Sequence, residues 1–324
     1  MKNFEGKLAV VTGGGTGMGR ELCKQLASAG CHVALCDVDA ETMAETRTAS
    51  LECAPVGTRV TAHLCDVADE QAVLAFRDAV AKEHSTQHIN LLFNNAGIGG
   101  GGSFIKDERS EWDRVFGVCW FGVYYMSRAF VPMLIASDEA HLINTSSVNG
   151  FWATMGPHSP HSAYSSAKFA VKGFTEALVN DFRIHAPHVK VSIVMPGHIG
   201  TSIMQNSLKA MGVAGPEQLT PEQLAPMRET VRRMGMPVDT MSDDMLRAGM
   251  KQRQDEFRDN APTTAAEAAT VMLDAVRDER WRVPVGEDAK AIDELVRETP
   301  EDAYEMSFYA RLGAKLGTSG GPAG

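Results

Sequence analysis

The stretch Thr12-Gly13-Gly14-Gly15-Thr16-Gly17-Met18-Gly19 constrains this chain more than any other, because it lies between an apolar run at residues 7–11 and a helix-patterned segment at 17–29. Glycines there let a strand turn abruptly into a helix and let backbone N–H groups approach a ligand closely. The unpaired N–H groups and the dipole of a helix N-terminus favour a phosphate, so the turn predicts a pyrophosphate site. Gly13, Thr16, Gly17, Met18 and Gly19 are its candidate contacts.

Further short apolar runs recur at residues 32–36, 60–65, 89–93, 141–143 and 189–195, with helical spacing between them at 69–83 and 163–185. Repeated strand–helix units of this kind predict an α/β fold, a doubly wound parallel sheet of the Rossmann type with helices on both faces. After Thr201 the alternation stops. Residues 202 to about 260 are rich in Met, Pro and charge; a helical pattern resumes at 263–278, a last strand is expected at 281–285, and terminal helices at 288–297 and 301–312. Residues 1–316 are expected to form a single domain, and 317–324 a flexible tail.

Charge and cysteine usage exclude several classes. The chain has 31 basic against 41 acidic residues, a net charge of −10, and no basic run, which argues against a nucleic-acid partner. No run approaches the roughly 20 apolar residues of a membrane span, and the N-terminus lacks the apolar stretch of a signal peptide, so a cytoplasmic protein without membrane contact is expected. Cys23, Cys31, Cys36, Cys53, Cys65 and Cys119 are scattered without a CxxC pair, which predicts neither disulfide nor metal site. All but Cys119 are expected to be small core residues.

The second strand ends at Asp37, which follows Gly19 by 18 positions, near the spacing of about 20 at which a carboxylate accepts hydrogen bonds from a ribose. A carboxylate there repels a 2′-phosphate, and no Arg or Lys stands among the glycines or just after Asp37. NAD is therefore expected over NADP.

With these features in place, the chain resembles the single-domain short-chain dehydrogenase/reductase family. The resemblance rests on the TGxxxGxG turn, Asp66-Val67, Asn94-Asn95-Ala96-Gly97, Ser146-Ser147, Tyr164-Ser165-Ser166-Ala167-Lys168 and Pro196-Gly197-His198-Ile199-Gly200-Thr201, in that order, and covers residues 5 to about 201 well. It implies an oxidoreductase acting on a secondary alcohol or ketone, with Ser147, Tyr164 and Lys168 catalytic. Asp66 and Val67 would meet the adenine, Asn95, Tyr164 and Lys168 would hold the cofactor, and Thr201 with the Ile199 backbone would bind its carboxamide end. On a helix, residues four apart share a face, so Lys168 is expected beneath Tyr164. A neighbouring ammonium and a positive nicotinamide would favour the phenolate of a tyrosine whose ordinary pKa is about 10, preparing Tyr164 as general acid and base.

The family usually carries asparagine in a VNxxG pattern, where this chain has Val118-Cys119-Trp120-Phe121-Gly122. In the family that residue holds a water linking the lysine to solvent, and a thiol is a poor substitute for an amide. Between Ser147 and Tyr164 lie 16 residues, several more than the family leads one to expect, and among them Phe151, Trp152, Met155, His158 and His161 are candidates for one wall of the substrate pocket. The segment 202–260 is where the family places its substrate loop. Its Met204, Met211, Met227, Met234, Met236, Met241, Met245 and Met250 suit either a lid moulded around an aromatic, terpenoid or steroid-like alcohol or ordinary burial in amphipathic helices.

Two rivals to a catalytic dehydrogenase remain open on the sequence: a nucleotide-binding scaffold or sensor with impaired turnover, motivated by Cys119, and a non-redox epimerase or dehydratase on the same fold. The family resemblance also implies a homo-oligomer, tetramer or dimer, packed through the helices at 112–135 and 163–185.

Overall fold

The computed structural model describes residues 1–317 apart from 158, 214 and 234–236. In chain order it contains β1 (Leu8–Thr12), α1 (Gly17–Ser28), β2 (His32–Asp37), α2 (Ala40–Glu52), β3 (Val60–Leu64), α3 (Glu70–Glu83), β4 (Leu91–Asn94), α4 (Arg109–Phe116), α5 (Gly122–Ile135), β5 (Ala140–Thr145) and α6 (Ser162–His185). There follow β6 (Val189–Pro196), β7 (Ile199–Gly200), α7 (Ile203–Ala210), α8 (Pro221–Arg233), α9 (Asp243–Asp259), β8 (Thr263–Thr264), α10 (Ala265–Arg277), β9 (Arg282–Val285), α11 (Glu287–Glu298) and α12 (Met306–Leu316).

Seven strands form one parallel sheet in the order β3-β2-β1-β4-β5-β6-β9, the doubly wound arrangement expected. Strand residues alternate between two cores. Leu8 and Val10 of β1 and Leu92 of β4 pack against α3, α5 and α6, through Val73, Phe76, Met126, Phe130 and Ala167. Ala9, Val11, Leu91 and Phe93 face the other way, against Leu22 and Leu26 of α1 and Met272 and Leu273 of α10. A sheet covered on both faces needs apolar residues at successive positions, which is why these strands read as unbroken runs. Asp39 and Asp69 cap α2 and α3 by accepting backbone N–H bonds, and Thr264 with Glu267 forms a reciprocal capping box at α10.

The chain winds outward from β1 to β3 and then returns to β4, so the carboxyl ends of β1 and β4 diverge. That switch point leaves a crevice where ligands bind in open α/β sheets.

Several expectations need correcting. The segment after Thr201 is largely helical: α7, α8 and α9 fill it, and a satellite core of Leu219, Leu224, Val231, Val238 and Leu246 holds the last two together. The expected helix at 301–312 is instead a turn at Pro300–Asp302 followed by α12, which ends at Gly317 in the left-handed conformation (φ 69°). Proline fits the first position of such a turn, and glycine alone adopts that φ without penalty. Cys53 is exposed, not core. One continuous helix, Arg109–Ile135, is after all long and apolar enough to cross a membrane by length and composition, but 56% of its most apolar window is buried inside the protein.

Candidate active site

The glycine turn, the ends of β2 and β3, the Asn95–Ile98 stretch after β4, and α7 enclose a cavity of about 680 Å³ at the switch point. Gly13, Thr16, Gly17, Met18, Asp37, Asp66, Val67, Asn95 and Thr201, all singled out by sequence, line it. Gly13 adopts φ 65°, and a Cβ there would come within 2.9 Å of Ala96. Gly19 does not line the cavity; a Cβ on it would overlap the Gly13 carbonyl, so its task is close packing of α1 against the turn. Ile199 is also absent from the lining, being buried and paired with Thr263 across β7 and β8.

Asp37 accepts hydrogen bonds from Gly15 N (2.9 Å) and Val38 N (2.7 Å), which fixes its carboxylate at the rim. On the opposite wall, Asn95 donates its amide to the Thr12 carbonyl (3.1 Å), while its buried Oδ1 has no partner in the protein. A buried acceptor left unpaired is costly unless a ligand or water completes it. Open glycines at a helix N-terminus, an acid at the ribose distance and an unpaired amide oxygen together fit a dinucleotide.

Beyond Gly97 stand the groups expected to do chemistry. Ser147 follows β5, and its hydroxyl lies near enough to that of Tyr164, which enters from the first turn of α6, to act on its acidity. Lys168, one turn on, is buried with its Nζ 5.5 Å from the Tyr164 ring centre, and donates to the Thr145 carbonyl at 2.9 Å. Burial pushes the Tyr164 hydroxyl above the ordinary phenol range, Cys119 adds to the rise, and the nearby Ser147 hydroxyl opposes it. Burial likewise holds the Lys168 ammonium below its ordinary range. In the protein alone, then, the Tyr164 hydroxyl is protonated, and the expected shift toward the phenolate would need the positive nicotinamide as well as Lys168.

Cys119 lies in a π-helical segment, Gly117–Phe121, that joins α4 to α5, and its thiol donates to the Ile98 carbonyl (3.2 Å). Such bulges recur at functional sites because they re-aim the backbone. The thiol is thus tied to the loop that follows Gly97.

The loop between Ser147 and Tyr164 divides. His161 stacks on the Tyr164 ring with 4.8 Å between centres, and burial lowers its pKa to about 4, so it is uncharged near neutrality. It also borders a second cavity of about 750 Å³ walled by Phe104, Ile105, Pro160 and Phe169. Phe151 and Trp152 are not pocket wall; they pack on the C-terminal helices with Phe308 and Tyr309. Met155 is exposed, and His158 lies outside the described residues. Among the described residues no cluster of His, Cys, Asp or Glu suits a metal ion.

Residues 7–212 match the short chain dehydrogenase family. The chain belongs to that family. The Mycobacterium tuberculosis protein SadH, named as an oxidoreductase, is 41% identical over 213 residues, which cover 65% of this chain and 74% of SadH. A short chain dehydrogenase/reductase from Burkholderia phymatum, solved in complex with NAD, matches with a TM-score of 0.72 at 30% identity over 93% of this chain and 96% of its own. A metagenomic short-chain oxidoreductase, solved with NADP, matches with a TM-score of 0.53 at 32% identity over 60% of this chain and 83% of the other.

In this short chain dehydrogenase, three residues at the site come from segments expected to serve other purposes, the helix at 112–135 and the substrate-loop segment 202–260. Arg114 donates to Asp66 (2.6 Å), Lys209 pairs with Asp39 (3.3 Å), and Asn206 donates to Thr16 (2.8 Å), all around the nucleotide cavity. Local sequence showed no cation near Asp37, yet the fold brings Lys209 there from 170 positions away. No local signal marks it, because the contact depends on how α7 returns over the sheet. Met211 reaches the candidate site beside Gly100, whereas Met227, Met241 and Met250 pack into the satellite core and Met245 is exposed; Met234 and Met236 lie outside the described residues.

Proposed function

We propose that this protein is an NAD-dependent dehydrogenase that interconverts a secondary alcohol and its ketone, and that Ser147, Tyr164 and Lys168 carry the proton chemistry. The observation that carries this reading is the convergence of Ser147, Tyr164 and buried Lys168, with the Lys168 ammonium under the Tyr164 ring and beside Gly97 of the glycine-lined cavity. When bound, nicotinamide supplies or accepts the hydride. The turn from Gly13 to Met18 would hold the pyrophosphate, Asp37 a ribose, Asp66 and Val67 the adenine, and Asn95, Lys168 and Thr201 the nicotinamide end. Tyr164, kept neutral by burial, is ready to give its proton to a ketone oxygen; in the opposite direction it takes the alcohol proton. Ser147 orients the reacting oxygen.

NAD is preferred in this reading because Asp37 stands fixed at the rim and Lys209, the nearby cation, is already engaged by Asp39. The supports for a bulky apolar substrate are Met211, the uncharged His161 ring and the apolar cavity beyond it. A homo-oligomer is part of the proposal, supported by exposed Phe121, Tyr124, Phe169 and Ile184 along α5, α6 and the π segment that precedes α5. Six unpaired thiols suit a reducing, cytoplasmic setting, and residues 1–316 are taken as one folded unit.

The test mixes the protein with NAD or NADP and secondary alcohols graded from small aliphatic to polycyclic, following reduced-cofactor absorbance. NADH formation with larger alcohols is expected. Retained nucleotide without net reduction would overturn the redox reading in favour of epimerase or dehydratase chemistry, and binding without any turnover would favour the scaffold.

A further inference from the structure

The C-terminal turn and α12 lie outside residues 7–212, the part that matches the family, and they close on the extended loop after Ser147. We propose that this arm is a positioning clamp for the Ser147–Tyr164 pair, acting through Asn149, Trp152 and Thr154; the proposal rests on the dehydrogenase reading of that pair.

Three polar contacts fasten the arm to the loop. The buried Trp152 indole donates to the Ala303 carbonyl at 2.7 Å, Ala153 N donates to the Tyr304 hydroxyl at 3.2 Å, and the Thr154 and Tyr309 hydroxyls meet at 3.1 Å. Phe308 and Tyr309 stack against the indole, with ring centres 5.3 Å and 5.6 Å away. Inside the loop, the buried Asn149 amide donates to the Trp152 and Thr154 carbonyls at 3.1 Å and 2.7 Å, so these residues move as one piece. That piece is joined to the chemistry through two adjacent residues at its start. Asn149 N donates to the Ser147 hydroxyl at 3.1 Å, and Gly150 is seated so closely on α6 that a Cβ would stand 2.8 Å from the Lys168 carbonyl.

The loop is therefore held between α6 on one side and the arm on the other. Buried donors such as the indole N–H are normally paired, and removing one partner loosens whatever the bond restrained. Ser147 and Tyr164 come from different elements, so their mutual distance depends on this loop keeping its seat. An ångström of misplacement at reacting groups costs about 10²-fold in rate.

The experiment uses Tyr309→Phe, which deletes only the hydroxyl, and Trp152→Phe, which deletes the indole N–H along with part of the ring packing. Expected are a fall in kcat of about tenfold in the double variant, little change in KM, unchanged NAD affinity, and a shift of the rising limb of the kcat/KM profile to higher pH. The shift follows because the nearby Ser147 hydroxyl opposes the rise of the Tyr164 pKa, and a loosened loop moves it away. Thr154→Ser, which keeps a hydroxyl for Tyr309, should retain wild-type kcat, whereas Thr154→Val, which also loses the bonds to Gly156, should lose at least as much as Tyr309→Phe. Wild-type kcat and pH profile in the double variant, or a parallel loss of NAD affinity, would overturn the clamp. If the wild-type protein turns over no alcohol or ketone, the dehydrogenase reading fails instead. The clamp is then decided by hydrogen exchange at residues 147–154 and 162–166: faster exchange in the double variant supports it, and unchanged exchange overturns it.

Discussion

The sheet with its nucleotide crevice and the helical segment α7–α9 are built on different terms. Strands β1, β4, β5 and β6 are almost wholly buried, and most of their apolar residues answer to one of two large cores. The helices α8 and α9 answer to a core of five buried residues, and their surfaces carry ion pairs such as Arg232–Asp239 and Lys251–Asp255. Exposed pairs of this kind contribute little, so the segment's cohesion rests on a small core. The contrast suits a division of labour in which the sheet fixes cofactor and proton chemistry while the segment above it is free to vary with substrate.

The sharpest way to break that division is to remove the one acid the sheet side supplies. Tyr164→Phe should lower turnover by about 10²–10⁴-fold while leaving nucleotide affinity unchanged, because general acid–base catalysis contributes on that scale and the ring packing is kept. Steady-state rates with isothermal titration of NAD would check both halves. Retained turnover would move the chemistry away from Tyr164.

Next in size is a pair of identical truncations, one in each region. Leu92 in β4 and Leu224 in α8 are both 0% exposed. Leu92→Ala should lower global stability by about 2–5 kcal/mol, the range for emptying a packed leucine site. Leu224→Ala should leave the main thermal transition near its wild-type position and instead raise protease sensitivity and hydrogen exchange within 203–259, because a satellite core opens locally. Equal shifts of the main transition would show that the two regions unfold as one.

The same contrast governs what was legible in sequence. The sheet could be read because a doubly covered strand has to be apolar throughout, and because Gly13, Asp37, Asn95, Ser147, Tyr164 and Lys168 sit at strand ends and helix starts where local spacing already fixes their neighbours. The helical segment could not, since α7 to α9 bury narrow stripes whose Met, Leu and Val have the same period whether they face a substrate or one another. Trp152 misled for a related reason: an aromatic near a catalytic serine suits a pocket wall equally well, and only the return of α12 from 150 positions away shows what it packs against. Lys209 and Arg114 share that fate, as cations whose partners are set by tertiary return and not by sequence distance.

Acid should strike the two regions unequally. His141, in β5, is 1% exposed, with burial lowering its pKa to about 3 from an ordinary value of 6.5, and residues 202–260 contain no histidine at all. A folded-state pKa below the unfolded one means the unfolded chain binds the proton first, so this contribution is complete above pH 6.5 and is lost as pH falls toward about 3. Half-buried His161 and His84, each lowered to about 4, push the same way. Urea unfolding at pH 7.5 and 5 should show the loss in the global transition, at up to about 1.4 kcal/mol per pH unit for His141. His141→Asn should flatten that slope; an unchanged slope would assign it to other groups.

The smallest expected effects lie where the two regions touch. Helix α7 is fastened across the nucleotide cavity by Asn206 to Thr16 (2.8 Å), by Ser207 accepting from Gly99 N (2.7 Å) and by Lys209 to Asp39 (3.3 Å). The first two bonds are part-buried and join α7 to the glycine turn and to the loop after β4, whereas the Lys209–Asp39 pair is open to solvent on both sides. Asn206→Ala should therefore weaken NAD binding by about 2–10-fold, the equivalent of a hydrogen bond contributing 0.5–1.5 kcal/mol, with the increase falling mainly on the dissociation rate. Lys209→Ala should do less than that in NAD affinity at physiological salt, because exposed ion pairs contribute about 0–1 kcal/mol. If Lys209→Ala proved the larger of the two and its effect faded with added salt, α7 would be held by charge, and the lysine that sits beside Asp39 would have to be counted among the groups that choose between NAD and NADP.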